Sequence, residues 1–251
     1  MRLRLVTLNT WKCDGAYRER LPRMAAGLAA LQPHIVLLQE CFATADGSTH
    51  TARALADALG LPLWETPARA KPRLWQGHGV HSHAGLALLG DCEPVQALAL
   101  PPHPHDGERV AQIARWRGPG PALWIGHVHL AAGADASAAR LQQCQHLTDR
   151  LQALAQADSA VLGGDFNAEP QAPALAPLRA GWQLAGQGPT PATWWNAQGQ
   201  GLALDHWWLR PGAAGWQAHT VQPVLQGLLG DPAGLASDHS GLLAELLPPN
   251  A

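Results

Sequence analysis

The sequence predicts an α/β fold: one domain spanning residues 1–251, with two β-sheets and helices that cover them. Three observations lead there. The elements run strand, helix, strand, helix, several strands, helix, strand and more strands, which is neither a regular βαβ array nor an all-β chain. Hydrophobic residues make up 47% of the chain and charged residues 14%, enough for a large core and against disorder. No internal repeat and no linker divides the 251 residues.

The elements follow in order. RLRLVTLNTW alternates charged and apolar residues and then turns apolar, the pattern of a strand ending at Asn9. ERLPRMAAGLAALQP reads as a helix with Pro22 in its first turn and Pro33 beyond its end. HIVLLQE is a second buried strand, and its C-terminal end carries Gln39 and Glu40. GSTHTARALADALG is a second helix, capped by Ser48 or Thr49 and stopped by Gly60. Residues 64–83, WETPARAKPRLWQGHGVHSH, read as a long irregular loop made locally positive by Arg69, Lys71 and Arg73. Within it, Trp75 either stacks on a substrate or packs inward. AGLALLG, PVQALAL, ERVAQIARW and ALWIGHVHL follow as consecutive strands with Gly/Pro-rich joins. SAARLQQCQHLTDRLQALAQA is a helix with Leu141, Cys144, Leu147, Leu151 and Leu154 on one stripe. SAVLGG is the next strand, ALDHWWLRP is a Trp-containing stretch, and GLLAELL is the last strand.

Charge and cysteine usage narrow the class. The formal net charge is -2, and the only lysines are Lys12 and Lys71. That speaks against a large basic face for gripping duplex phosphates, though not against a nucleic-acid substrate. The four cysteines, Cys13, Cys41, Cys92 and Cys144, form no C-x-x-C and read as free thiols in a reducing compartment. No signal-peptide pattern opens the chain, and no apolar run approaches the roughly 20 residues that span a bilayer. A cytoplasmic protein with no membrane span and no obligate protein partner is the expectation.

Apolar strands here repeatedly end in groups that ligate metals or move protons. Asn9 ends the first, Glu40 the second, and His127 and His129 the strand HVHL. Asp165 and Asn167 follow VLGG, Asp205 and His206 sit in ALDHWW, and Asp238 and His239 precede GLLAEL. Each alone has an ordinary explanation as a turn former, a cap or a core histidine. Together they argue for convergence, because a buried carboxylate costs several kcal/mol unless paired, hydrogen-bonded or metal-bound. Oxygen donors suit a hard cation such as Mg²⁺, and without a Cys/His cage structural zinc is disfavoured. A hard cation beside Asp and His points to phosphoryl chemistry. His103 and His105, in PPHPHDG, read as a surface loop.

With LNTW, LLQE, GLALL, HVHL, GGDFNAEP, LDHWWL and SDHSGL in this order over nearly the whole chain, the sequence resembles the endonuclease/exonuclease/phosphatase superfamily, the DNase I-like fold. The resemblance implies a four-layer α/β sandwich, two mixed β-sheets packed face to face and flanked by helices, with a site at one end between the sheets. It implies metal binding at Glu40, Asp238 and Asn9, with Mg²⁺ or Mn²⁺ as the cofactor. It implies water positioning or activation by Asp165 and Asn167, and stabilisation of phosphate oxygens by His129. His239 would bind the phosphate or act as general base, with Asp205 orienting it. Arg109, Thr193 and His83 match places near the substrate. The HVHL motif carries Val128 where the family has a small polar residue.

The function implied is hydrolysis of a phosphodiester by in-line attack of an activated water, with a nuclease acting on DNA or RNA in front. Two alternatives stay open. One is a phosphodiesterase or phosphatase for a lipid headgroup or small phosphoester, in which Trp194, Trp195, Trp207 and Trp208 either line the pocket or fill core. The other is a non-catalytic binding module, which the intact set of polar residues speaks against.

Overall fold

The protein is seen in a computed structural model that describes residues 2–213, 215–226 and 235–249. In chain order the elements are β1 (Leu3–Asn9), α1 (Tyr17–Leu31), β2 (Ile35–Thr44), α2 (Thr51–Leu59), β3 (Leu63–Thr66), β4 (Lys71–Trp75), β5 (His78–Gly90), β6 (Cys92–Ala99), β7 (Val110–Trp116), β8 (Leu123–His129), α3 (Ser137–Ala155), β9 (Ser159–Asp165), α4 (Ala176–Gly181), β10 (Gln183–Leu184), β11 (Trp194–Trp195), β12 (Gly201–Leu202), β13 (Asp205–Arg210), β14 (Gln217–Val224) and β15 (Gly241–Leu247).

Two sheets form. The first has the order β14-β15-β1-β2-β5-β3, with β4 also paired to β5. The second has the order β10-β13-β9-β8-β7-β6, and β11 and β12 make a separate ribbon. Each large sheet is mixed for the same reason. β1 and β2 are parallel and joined across α1; β8 and β9 are parallel and joined across α3. A parallel pair needs a crossover, and the crossover helix lies on a sheet face. Every other pairing in the two large sheets is antiparallel.

Side-chain alternation sorts each strand into two cores. Leu3 and Leu5 of β1, Ile35 and Leu37 of β2, Ile125 of β8, Val161 of β9 and Trp207 of β13 meet in the core between the sheets. Val6, Leu8, Val36 and Leu38 face the other way, onto Met24 and Leu28 of α1 and Leu55 of α2. Leu162 and Trp208 face Cys144, Leu147 and Leu151 of α3 and Leu178 of α4. The result is helices, sheet, sheet, helices: the four-layer sandwich that the sequence predicts. Among the described residues no helix is long and apolar enough to cross a membrane. All four cysteines are unpaired.

Several local expectations need correction. Residues 64–83 are not an irregular loop: β3, β4 and the start of β5 occupy them. Gln76 and Gly77, both with positive φ, close a tight hairpin between paired Trp75 and His78, the backbone that matches strand twist. α1 starts at Tyr17, so Pro22 lies beyond its first turn. The cap of α2 is His50, whose ring nitrogen accepts the Arg53 N–H, rather than Ser48 or Thr49. Leu141 is 41% exposed and leaves the α3 stripe, where Arg140 and Gln143 are buried instead. Glu40 is not at the end of its strand; β2 continues to Thr44. Trp207 and Trp208 fill core, and Trp75 packs edge-on to Tyr17 and against Phe42.

Candidate active site

The same alternation that builds the inter-sheet core carries polar groups to its rim. In β1, Leu3 and Leu5 point between the sheets, so Thr7 and Asn9 do as well. In β8 the series Leu123, Ile125 ends in His127 and His129; in β9 Val161 leads to Asp165; in β13 Trp207 leads back to Asp205. The register then places His129 beside Asp165 and Asp165 beside Asp205 in one row across three strands. Asn9, 156 residues away in the other sheet, closes the gap by donating from Nδ2 to Asp165 Oδ2 at 3.0 Å. These rims are the carboxyl ends of the two parallel pairs, where open α/β sheets tend to hold ligands.

Glu40 joins them through a backbone irregularity. Between Leu38 and Cys41 the pairing with β5 shifts register, and Glu40 has φ 56. Strict alternation from Gln39 would turn Glu40 to the helix-covered face. The bulge inserts a residue and re-aims the carboxylate into a narrow cavity that Lys12, Arg109 and His129 also line. A non-glycine residue at positive φ costs of order 1 kcal/mol and is a feature of functional sites.

Hydrogen bonds fix the row. Asp165 Oδ1 accepts the Asn167 N–H at 2.8 Å, and its Oδ2 lies 3.4 Å from His129 Nε2. Asn167 spends its side-chain amide on the Leu130 carbonyl at 3.0 Å. His239 donates from Nδ1 to Asp205 Oδ2 at 2.8 Å, while Asp205 Oδ1 is buried without a hydrogen-bond partner. Thr193, wholly buried, accepts the N–H groups of Leu204 and Asp205 and so anchors the start of β13. Ser237 donates to the Asn9 carbonyl at 2.6 Å and accepts the His239 N–H at 3.3 Å.

Burial and these neighbours shift the protonation states apart. Burial, then the charge of Asp205, pushes Asp165 above the usual carboxylate range. Burial alone would lower His239, but Asp205, Asp165 and Asp238 outweigh it and hold the ring up to about 10. His129 goes the other way: burial first, then the charges of Arg109 and Arg69, keep it neutral. Asp238 is raised by burial and by nearby Glu40, against the pull of His239.

A family model described as "Endonuclease/Exonuclease/phosphatase family" matches residues 6–239. The chain belongs to the endonuclease/exonuclease/phosphatase family. Solved structures agree on the fold. An endonuclease/exonuclease/phosphatase from Beutenbergia cavernae superposes with a TM-score of 0.76 at 18% identity, covering 100% of this chain and 72% of that one. The human Nocturnin catalytic domain with bound sulfate anion gives 0.75 at 22% identity, covering 98% and 93%. D. rerio TDP2 complexed with single strand DNA product gives 0.71 at 16% identity, covering 98% and 99%. No curated protein matches the sequence.

Of the residues that the motifs of the endonuclease/exonuclease/phosphatase family single out, Asn9, His129, Asp165, Asn167, Asp205 and His239 are joined by the contacts above. Glu40 and Asp238 stand close enough for each to act on the other's charge. Arg109 lines the cavity, held by Asp106 at 2.6 Å. His83 stands apart: alternation along β5 puts Ala84 and Leu86 toward the cavity and His83 on the opposite face, 3.5 Å from Glu65.

The oxygen donors fit a hard divalent cation. Glu40 and Asp238 repel each other, and the Lys12 ammonium already sits 3.0 Å from Glu40, so the place favours positive charge. Asp165, Asp205 and His239 also bring ligand atoms within 4.8 Å of one another. There Asp205 already accepts from His239 Nδ1, which leaves Nε2 as the ring's free nitrogen.

Sequence reasoning missed three supports. Arg20, fully buried in α1, donates to the carbonyls of Thr10, Trp11, Lys12, Asp14 and Ala236. It ties the loop after Asn9 to the segment before Asp238, and Trp11 and Lys12 hold positive φ inside that clamp. Asp106 takes the Arg109 guanidinium and the Ala132 N–H. Lys12 partners Glu40. No pattern marks an arginine that bonds only to carbonyls; Lys12, one of two lysines beside a strand end, was the one readable signal.

Proposed function

We propose that the protein is a divalent-metal-dependent phosphodiesterase, a nuclease acting on DNA or RNA. The observation that carries this is the row His129, Asp165, Asp205–His239, set against Asn9 and Glu40 from the other sheet. It offers a raised carboxylate and a charged imidazole within one buried rim. Among proteins of similar fold, one is solved with a single strand DNA product, which favours nucleic acid over other phosphoesters. Trp207 and Trp208 are core and line no headgroup pocket, whereas Trp194 and Trp195 are half-buried and Trp194 is bridged to His239.

Glu40 and Asp238, with Asn9 beside them, would hold Mg²⁺ or Mn²⁺, which when bound neutralises phosphate oxygens. Asp165 takes the proton of the attacking water. Its raised pKa suits a base working near neutrality, and the Asn9 amide and Asn167 N–H fix its orientation. His239 stays protonated and binds a phosphate oxygen through Nε2, because Asp205 holds Nδ1. His129, neutral, donates to the same phosphate without adding charge that Arg109 would repel.

The test is turnover of bis-p-nitrophenyl phosphate and of DNA and RNA oligonucleotides with Mg²⁺ or Mn²⁺. Asp165→Ala or His239→Ala is expected to lower kcat by about 10²–10⁴-fold with the fold intact by circular dichroism. Near-wild-type turnover in either variant would sink the assignment.

A further inference from the structure

The cavity at Glu40 and His129 does not end there. Arg69 and Glu108 line it and also line a wider, open cleft that runs outward between the β4 hairpin and the loop before β7. Lys71 and His105 stand on the walls of that outer cleft. Lys12, Arg109 and Arg69 therefore line the inner cavity, and Arg69 and Lys71 the outer cleft. Both lysines of the chain lie on this path, in a protein whose net charge is -2.

The negative groups on the path are mostly engaged. Glu40 is paired with Lys12, and Asp106 accepts from Arg109 and from the Ala132 N–H. Asp106 also reaches Arg69 at 3.6 Å, so one carboxylate serves two guanidinium groups. Arg69 is set in place by its own backbone: it has φ 54, and its carbonyl accepts from Arg73 Nη2 at 3.0 Å. Glu108 is exposed and remains as the opposing charge. Cations thus exceed anions along the walls, while the inner floor is apolar, formed by Ala68, Ala84, Leu86 and Val110.

Resting on the phosphodiesterase reading above, we propose that this groove is a second anion subsite, in which Arg69 and Lys71 take the phosphate next to the scissile one on a single nucleic-acid strand. A substrate with a single phosphate reaches Lys12, His129 and Arg109, with Arg69 at the edge of the inner cavity, and does not reach Lys71. A strand lying along the groove passes Arg69 and goes on to Lys71, so the outer cleft sets a preference for an extended strand over a small phosphoester.

Two substrates separate the roles: a short single-stranded oligonucleotide, and bis-p-nitrophenyl phosphate, which has no second phosphate. Lys71→Glu is the main variant, because Lys71 is exposed and its loss leaves packing intact; Lys71→Gln is the second. In each, kcat/KM for the oligonucleotide is expected to fall about tenfold more than for bis-p-nitrophenyl phosphate, mainly through KM. The slope of log KM against log salt is expected to decrease by about 0.7 for each lost phosphate contact on a single strand. Equal losses on the two substrates, or an unchanged salt slope, would overturn the groove assignment. Wild-type turnover of bis-p-nitrophenyl phosphate without turnover of any oligonucleotide would overturn it alone. No turnover of either overturns the phosphodiesterase reading and this inference with it.

Discussion

Asp165 and Asp205 are paired across the β9–β13 ladder, both buried, and His239 sits with them. The three cannot all keep ordinary protonation states. Asp205 and His239 form the ion pair, and Asp165 is the group pushed up, first by burial and then by Asp205. The sign of the pH dependence follows. Activity rises with pH as Asp165 loses its proton above the usual carboxylate range, and falls as pH climbs toward about 10, where His239 loses its charge. Asp205→Asn removes the largest influence raising His239, so the alkaline limb is expected to move to lower pH. A pH–rate profile with an unmoved alkaline limb would count against His239 as the charged group. At this scale the sequence motifs singled out residues that the structure brings together at one rim. They did not separate His83 from the rest, because its position on the opposite face of β5 depends on pairing rather than on neighbouring letters.

Bulges, caps and close approaches decide where elements deliver these residues. Gly164 has φ 142, and a Cβ there would come within 2.0 Å of the Val128 carbonyl oxygen on the parallel neighbour β8. Gly164→Ala is expected to cost about 3 kcal/mol or more, read as a lower urea midpoint, because both strain and the β8–β9 spacing under Asp165 are affected. Arg20 acts between elements. Arg20→Met leaves buried carbonyls of the Thr10–Asp14 loop and of Ala236 without a donor, at about 1–3 kcal/mol for each left unsatisfied. The expected outcome is a large fall in denaturant midpoint and a fall in kcat, as Lys12 and Asp238 lose their common support. The hairpin of β4 and β5 was hidden in the sequence by its prolines and glycines. Pro72 sits on β4, which among the described residues pairs only with β5, and Gly77 supplies the turn.

Across the whole molecule, the sheets are joined beneath the rim by a buried polar chain. Thr7 accepts from Gln39 in the first sheet, and Gln39 meets His127 of the second; His127 contacts Gln39 at 2.7 Å and Gln112 at 2.8 Å, and Gln112 returns to Trp64 and Thr66. His127 is neutral there, lowered to about 3 by burial. His127→Leu would leave the two glutamine amides short of partners and is expected to cost about 2–3 kcal/mol in urea unfolding at neutral pH. The cost should shrink in acid. Below about 6.5 the unfolded wild type gains a proton that the folded ring refuses, so wild type loses stability as pH falls and the variant does not. A difference between the two that stays constant from neutral pH to about 4 would contradict a buried neutral His127.

The sequence by itself determined the identity of the chemical groups, the strands that carry them and the family to which the chain belongs. Periodicity sufficed for the strands, because alternation and apolar runs are local properties of the backbone; the family came from the ordered motifs. Only the tertiary structure decided which of those groups meet. Glu40 reaches the cavity through a bulge defined against β5, His83 is excluded by the face of β5 on which it stands, and Arg20 binds a loop and a distant segment that share no sequence pattern. Register, bulges and contacts between sheets exist only once strands are paired, and the Asn9–Asp165 bond across 156 residues forms only when two separately built sheets pack face to face.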